Sequence, residues 1–427
     1  MKNAFIKSTV ILLIGTLITK LLGFFIKIIF TRMIGTGINL YSLIMPTYSL
    51  LVAITQLGLP YAISVIMAKN NYRGLKVLAS VIPISLFFNI LIIALIFIFS
   101  PFLATNLLKN ENLYYPLISI SFVVPFTTIS GIIKGYYFGK QNMLPNAVSS
   151  IFEQLTRFIL MMIFIPFLSN ISDVHAVSGY VIISAVCELV QIIVYLFFAP
   201  KNIHFSIHDL TFNKKIAYDV FSISIPSVSS RIIGNICYFL EPIILTNMLL
   251  FVGYSTNFIE SEYAVYNAYV IPILTMPSFF TLALNTTLIP EVSKNYDNKN
   301  YVKRRVRQSL FISFLIGAIF CAFVYFKGEF ILSLVYNTNK GIDYIHLLSI
   351  FFPLFYLEGP LASALQGLNY SAYTMKVTLV SSIFKTIIMV ITCLFSIGIY
   401  PLIISEIVSI SSVVYLNYSK LRKLNYI

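Results

Sequence analysis

Runs of about twenty apolar residues, separated by short polar segments, recur from one end of the chain to the other. Twelve can be set out, at residues 5–30, 40–67, 75–99, 113–138, 145–168, 176–198, 218–250, 263–289, 306–326, 344–366, 373–395 and 399–416. In hydrocarbon the backbone must satisfy its own polar groups, so runs of this length predict transmembrane helices. The first run follows "MKNAFIK" and continues without a small-residue cleavage site, so it reads as a span and not as a leader.

The segments between the runs differ in charge. Lys69, Arg73 and Lys76, then Lys140, then Lys201, Lys214 and Lys215, fall in alternate loops. The strongest group follows, with Lys294, Lys299, Lys303, Arg304, Arg305 and Arg307, and Lys420, Arg422 and Lys423 close the chain. The intervening loops hold Asp173, Glu260 with Glu262, or balanced charges. Cytoplasmic loops collect Lys and Arg, so the alternation expects both termini in the cytoplasm of a bacterial inner-membrane protein. Arg32, at the outer end of the first run, departs from the pattern.

The chain repeats itself. "GYYFGKQNMLPNAVSSIFEQ" aligns with "GLNYSAYTMKVTLVSSIFKT" at an offset of 232, matching Gly135 with Gly367, Met143 with Met375, and Ser149–Phe152 with Ser381–Phe384. "AKN" at Ala68 and "SKN" at Ser293 are a weaker echo, as are Met45-Pro46 and Ile271-Pro272. An offset near 230 spans six runs, an even number, so both copies enter the membrane in the same sense. The expected fold is all-α: two parallel six-helix bundles, residues 1–200 and 218–427, joined by a linker at 201–217, with a central cavity and the substrate site near the midplane.

Composition narrows the function classes. The chain is 58% hydrophobic and 10% charged, far below the ~25% charged of a soluble domain. The net charge of +14 is therefore read as loop charge, with no nucleic-acid partner. The four cysteines lie in apolar runs without a CxxC, which argues against disulfides and zinc. His204 and His208 sit in a polar loop without an HExxH pattern, so no metal is expected there. A membrane-embedded transferase would need catalytic histidines or paired acids on a loop, and none is evident, so the chain reads as a transporter and not an enzyme.

Charges inside the runs carry the candidate chemistry, because an ionisable side chain in lipid costs at least ~2.5 kcal/mol. Lys20 and Lys27 are seven residues apart, on one helical face with Thr16 and Gly23 nearby. They line a water-filled cavity or snorkel to the headgroups. Glu153 and Arg157 have the i, i+4 spacing of a helical ion pair. The pair holds its helix in register or leaves Arg157 donors for phosphate oxygens. Arg231 and Glu241 lie in the seventh run, Glu188 and Glu358 in others. Glu153, Glu241 and Glu358 are candidates for ion coupling or for structural roles. Prolines within the runs, among them Pro46, Pro226, Pro272 and Pro277, expect bent helices.

"GTLITKLLGFFIKIIFTRMIGTGINLYSLIMPTYSLLVAITQLGLPYAIS", "GYYFGKQNMLPNAVSSIFEQLTR" and "SIPSVSSRIIGNICYFLEPIIL" together resemble the stage V sporulation protein B family. Its superfamily includes polysaccharide exporters, the lipid II flippase and multidrug efflux proteins. The resemblance implies a flippase for polyprenyl-diphosphate-linked sugars, working by alternating access among membrane lipids. It needs no cofactor beyond coupling to Na+, H+ or the membrane potential, and it acts as a monomer. Lys20, Lys27 and Arg32 match basic positions of the first-span motif, Glu153, Gln154 and Arg157 match "EQ..R", and Glu241 stands where aspartate is common. The implied substrate-binding set is Lys20, Lys27, Arg32, Arg157 and Arg231. Two departures stand out: lysine where arginine is frequent, and twelve spans where many relatives have fourteen. The rival expectations are a cation-coupled drug or metabolite antiporter of the same fold, and a non-transporting scaffold in spore or envelope assembly.

Overall fold

The computed structural model describes residues 2–68, 72–199 and 212–427. Lys69, Lys201, His204, His208 and most of the expected linker lie outside the described residues. The described residues form helices and no strands. Contacts divide the chain into two compact units that meet between Phe239 and Leu240. The first unit contains α1 (Lys2–Met33), α2 (Ile38–Gln56), α3 (Leu59–Ala68), α4 (Gly74–Phe102), α5 (Tyr114–Gly139), α6 (Leu144–Ile171) and α7 (Asp173–Phe197). The division falls inside α8 (Lys214–Phe251). The second unit continues with α9 (Thr256–Ala264), α10 (Ile271–Thr275), α11 (Ser278–Lys294) and α12 (Lys299–Tyr336). It ends with α13 (Ile342–Phe351), α14 (Phe355–Gly367), α15 (Ser371–Cys393) and α16 (Tyr400–Lys423).

Among the described residues, eleven helical segments are long and apolar enough to cross a membrane. A twelfth crossing results when Thr256–Thr275 and Ser278–Lys294, bent by 58°, are one broken span. Pro277 stands at that break, where its missing N–H interrupts the ladder. The crossing made by α2 and α3 is broken too, at Leu57 and Gly58, which take positive φ of 45° and 67°. The Ser224 hydroxyl donates to the Leu57 carbonyl there, satisfying a backbone group the break releases.

The unit boundary lies beyond the 201–217 segment because the start of α8 packs into the first core. Ile216 and Val220 join Leu59, Ile63, Val77, Val81 and Ile132. The second unit has a matching core of Leu288, Val292, Val306, Leu361 and Ala364, with Leu310 packed against it. Leu59, Ile63, Val77 and Val81 find their counterparts 229 positions on, at Leu288, Val292, Val306 and Leu310. The Ala68–Ser293 echo, 225 apart, stands outside this register. The helix pairings repeat as well: α3 on α5 and α11 on α14, α6 on α7 and α15 on α16.

The matched glycines explain why the repeat survives at those letters. A Cβ on Gly135 would sit 2.7 Å from the Pro60 carbonyl oxygen and 3.0 Å from Ile63 Cβ. One on Gly367 would sit 2.9 Å from the Ile289 carbonyl oxygen and 2.8 Å from Val292 Cβ. Each glycine lets two backbones approach at the same place in its unit, which is how helices associate in lipid. Gly135→Val and Gly367→Val are each expected to destabilise the protein by about 1–3 kcal/mol, seen as a lower melting temperature in detergent. Gly234→Ala, where an added Cβ meets nothing within 4 Å, is expected to melt like the parent. Equal melting of all three variants would remove the close-packing account.

Candidate functional site

The first cluster is built on α1, α5, α6 and α7. Small residues bring α1 onto α6: a Cβ on Gly15 would lie 2.5 Å from Ala147 Cβ, and one on Gly23 would lie 3.5 Å from Gln154 Oε1. This parallel register sets Lys27 level with Arg157 and Phe158. Lys27 is half-buried, whereas Lys20, two turns earlier on the same face, is exposed. Arg32 is exposed in the last turn of α1.

Arg157 Nη2 donates to Glu153 Oε1 at 2.6 Å, the i, i+4 pair that the spacing predicts. The pair is embedded in a polar network. Gln191 Nε2 on α7 donates to Glu153 Oε2 at 3.2 Å and to Ser150 Oγ at 3.3 Å, and Gln154 Nε2 donates to Glu153 Oε1 at 3.3 Å. From α5, Ser130 Oγ donates to Glu188 Oε2 at 2.5 Å. Lys134, one turn beyond Ser130, lies within electrostatic reach of Glu153, Glu188 and Arg231. The set holds Lys134 and Arg157 with the carboxylates Glu153 and Glu188; the exposed Arg231 lies within reach of Lys134, and Lys27 stands at the same level on α1. Two polar atoms at its centre are buried and unpartnered: Arg157 Nε and Gln154 Oε1. A donor and an acceptor held this way are groups a polar ligand can satisfy.

The second cluster lies wholly in the second unit. Lys385 on α15 donates to Glu241 on α8 and, at 2.6 Å, to Glu406 Oε2 on α16. Glu241 is 5% exposed, and Tyr263 bonds its carboxylate. Glu358 on α14 lies within electrostatic reach of Glu406. Here two carboxylates hold one cation, and a third lies near Glu406. The two clusters occupy related places in the repeat, because Lys385 is the counterpart of Glu153, yet their charge balance is opposite.

The structure thus joins Glu153 and Arg157, sets the half-buried Lys27 at their level on α1, places Arg231 within reach of Lys134, and leaves Lys20, Arg32 and Arg231 exposed. Glu241 and Glu358 belong to the other cluster, although Arg231 and Glu241 share α8. Sequence reasoning did not single out Lys134, Gln191 and Glu406. Lys134 and Glu406 carry the same signal as the others, a charge inside an apolar run. Lys134 lies near the basic loop at Lys140 and so resembles a loop charge. Among the described residues no group of three or more His, Cys, Asp or Glu side chains could hold a metal ion.

Lys385→Met leaves a buried carboxylate unpaired and is expected to cost about 3–5 kcal/mol in sodium-free detergent solution. Adding Glu241→Gln should recover part of that loss, with a coupling of about 0.5–3 kcal/mol in a double-mutant melting cycle. Strict additivity would show that the pair contributes nothing to folding.

The polysaccharide biosynthesis protein family matches residues 5–296, and the MatE family matches residues 238–391. Stage V sporulation protein B of Bacillus subtilis (strain 168) is 31% identical over 400 residues, covering 90% of this chain and 77% of that protein. The lipid II flippase MurJ of the same organism is 23% identical over 425 residues, covering 91% and 77%. Among solved structures, an inward-facing multidrug resistance MATE family transporter of the MOP superfamily superposes with a TM-score of 0.71 at 15% identity, covering 95% of this chain and 94% of that one. Lipid II flippase MurJ in an inward closed conformation superposes at 0.70 with 17% identity, covering 96% and 87%. These two share the fold, a multi-pass all-α membrane architecture. The extent of the family match and of the 31% identity shows that the chain belongs to the polysaccharide biosynthesis protein family.

Proposed function

We propose that the protein is a flippase that carries the headgroup of a polyprenyl-diphosphate-linked saccharide across the bacterial cytoplasmic membrane by alternating access. The observation that carries this reading is the cation excess of the first unit's half-buried polar cluster. Lys134, Arg157 and the exposed Arg231, with Lys27 level with them on α1, outnumber Glu153 and Glu188 within apolar helices. An uncompensated cation in lipid is expensive, so an anionic ligand is the natural complement. A diphosphate supplies two or more negative charges and the acceptors that Lys and Arg donors need. The family relationship supports the same class of cargo, since a relative is named lipid II flippase.

In this reading Glu153 orients the Arg157 guanidinium while its remaining donors meet phosphate oxygens. Lys27, at the same level on α1, adds a point charge. Gln191 and Gln154 hold Glu153 from its other edges, so the arginine cannot swing freely. The polyprenyl chain stays in the bilayer, and no covalent bond changes. The basic residues at the end of α11 and the start of α12 face the cytoplasm, as do both termini. A single cysteine at Arg304 should then be unreactive to an impermeant maleimide in intact cells and reactive in opened ones. The reverse labelling would invert the topology.

The match of the MatE family to residues 238–391 favours a second reading, efflux of a cationic compound by way of the acid-rich cluster of the second unit. Reconstituted vesicles separate the two. A labelled lipid-linked saccharide should become accessible to an external enzyme faster than in empty vesicles. Lys27→Gln should slow this about 10–100-fold, the range for losing one charge-assisted hydrogen bond, and Lys27→Arg should largely restore it. Translocation no faster than in empty vesicles, together with expulsion of a cationic dye, would replace the first reading with the second.

A further inference from the structure

The second cluster is not explained by headgroup binding. Its chemistry is that of oxygen ligands gathered around one positive charge. Glu241, Lys385 and Glu406 come from α8, α15 and α16. Glu241 is nearly sealed from solvent, while Lys385 and Glu406 retain side-chain exposures of 20% and 22%. The Tyr263 hydroxyl bonds Glu241, and Glu358 adds a third carboxylate within electrostatic reach. One turn before Lys385 on the same face of α15, the Ser381 hydroxyl is buried and has no hydrogen-bond partner. An ammonium ion donates to carboxylate oxygens at nearly the spacing at which a hard cation would be coordinated by them.

We propose that Glu241 and Glu406 frame a monovalent-cation site which this chain keeps permanently filled with its own Lys385 ammonium. The tethered charge does what a bound alkali ion would do, drawing three helices of the unit together, but it cannot dissociate. While it is in place, its charge repels a second cation and its protons occupy the oxygens. The site is therefore closed to sodium in the native chain and opens to it when the ammonium is removed. With no cluster of three metal-ligating side chains among the described residues, the opened site suits a monovalent ion better than a divalent one. This inference concerns the second unit alone and stands whether or not the first unit binds a lipid-linked saccharide.

The test uses the full chain purified in detergent in choline chloride, with sodium or potassium chloride added at matched ionic strength. Melting temperature and retained radioactive sodium are read together. The parent is expected to show neither a sodium-specific rise in melting temperature nor saturable retention. Lys385→Ala should melt lower in choline, recover with sodium in a saturable manner, and retain about one sodium per chain. Both responses should vanish in Lys385→Ala/Glu241→Gln. Saturable sodium binding by the parent would overturn the proposal, as would a folded Lys385→Ala whose melting ignores the cation. Lys385→Gln, assayed for sodium retention in native membranes, serves where the alanine variant does not survive purification. Failure of both variants to fold even in sodium counts against the proposal, because the added ion should replace the lost charge.

Discussion

The structure depends on the cost of placing charge and unpaired backbone in hydrocarbon. Helices answer the backbone half of that constraint within each segment. The charged half cannot be answered locally, except by pairs such as Glu153 and Arg157 one turn apart. Every other intramembrane charge in the two clusters needs a partner on a different helix. Glu188 takes a hydroxyl from α5, and Glu241 takes its ammonium from α15. These demands select which helix faces meet, and they work alongside the small residues that let the backbones approach.

Duplication and divergence can be separated on this basis. The apolar register of the two cores is kept, with four positions matched at one spacing, and so are the glycine contacts at Gly135 and Gly367. Packing of this kind tolerates little change, because a single methyl group at either glycine collides with a backbone carbonyl. The charges are free to change as long as each cluster remains compensated. Lys385 stands where the first copy has Glu153, and Glu241 and Glu406 on neighbouring helices supply the acids that pair with it. The outcome is one cation-rich cluster and one acid-rich cluster on a shared scaffold.

Bent and broken helices follow from the same economy. Pro277 and the left-handed pair at Leu57 and Gly58 release backbone groups, which must find partners nearby. The Ser224 hydroxyl is one such partner. Breaks in spans are therefore tied to polar side chains on adjacent helices, and their positions are properties of the bundle as much as of the proline or glycine itself.

By itself the amino-acid sequence determined the apolar helices long enough to cross a membrane, the internal repeat and the i, i+4 ion pair. Each of these depends on local hydrophobic length, on residue identities at a fixed offset or on the geometry of one helix turn. It also marked most of the intramembrane charges, and the family resemblance pointed to the same class of membrane protein that the comparisons support. Tertiary structure decided which charges share a cluster. Nothing in the spacing of Glu241, Lys385 and Glu406, separated by 144 and 21 positions, joins them until α8, α15 and α16 pack together. Nor could spacing reveal that Arg231 and Glu241, ten residues apart on one helix, fall in different units. Those assignments depend on the faces that long helices present to their neighbours, and contacts across the fold set them.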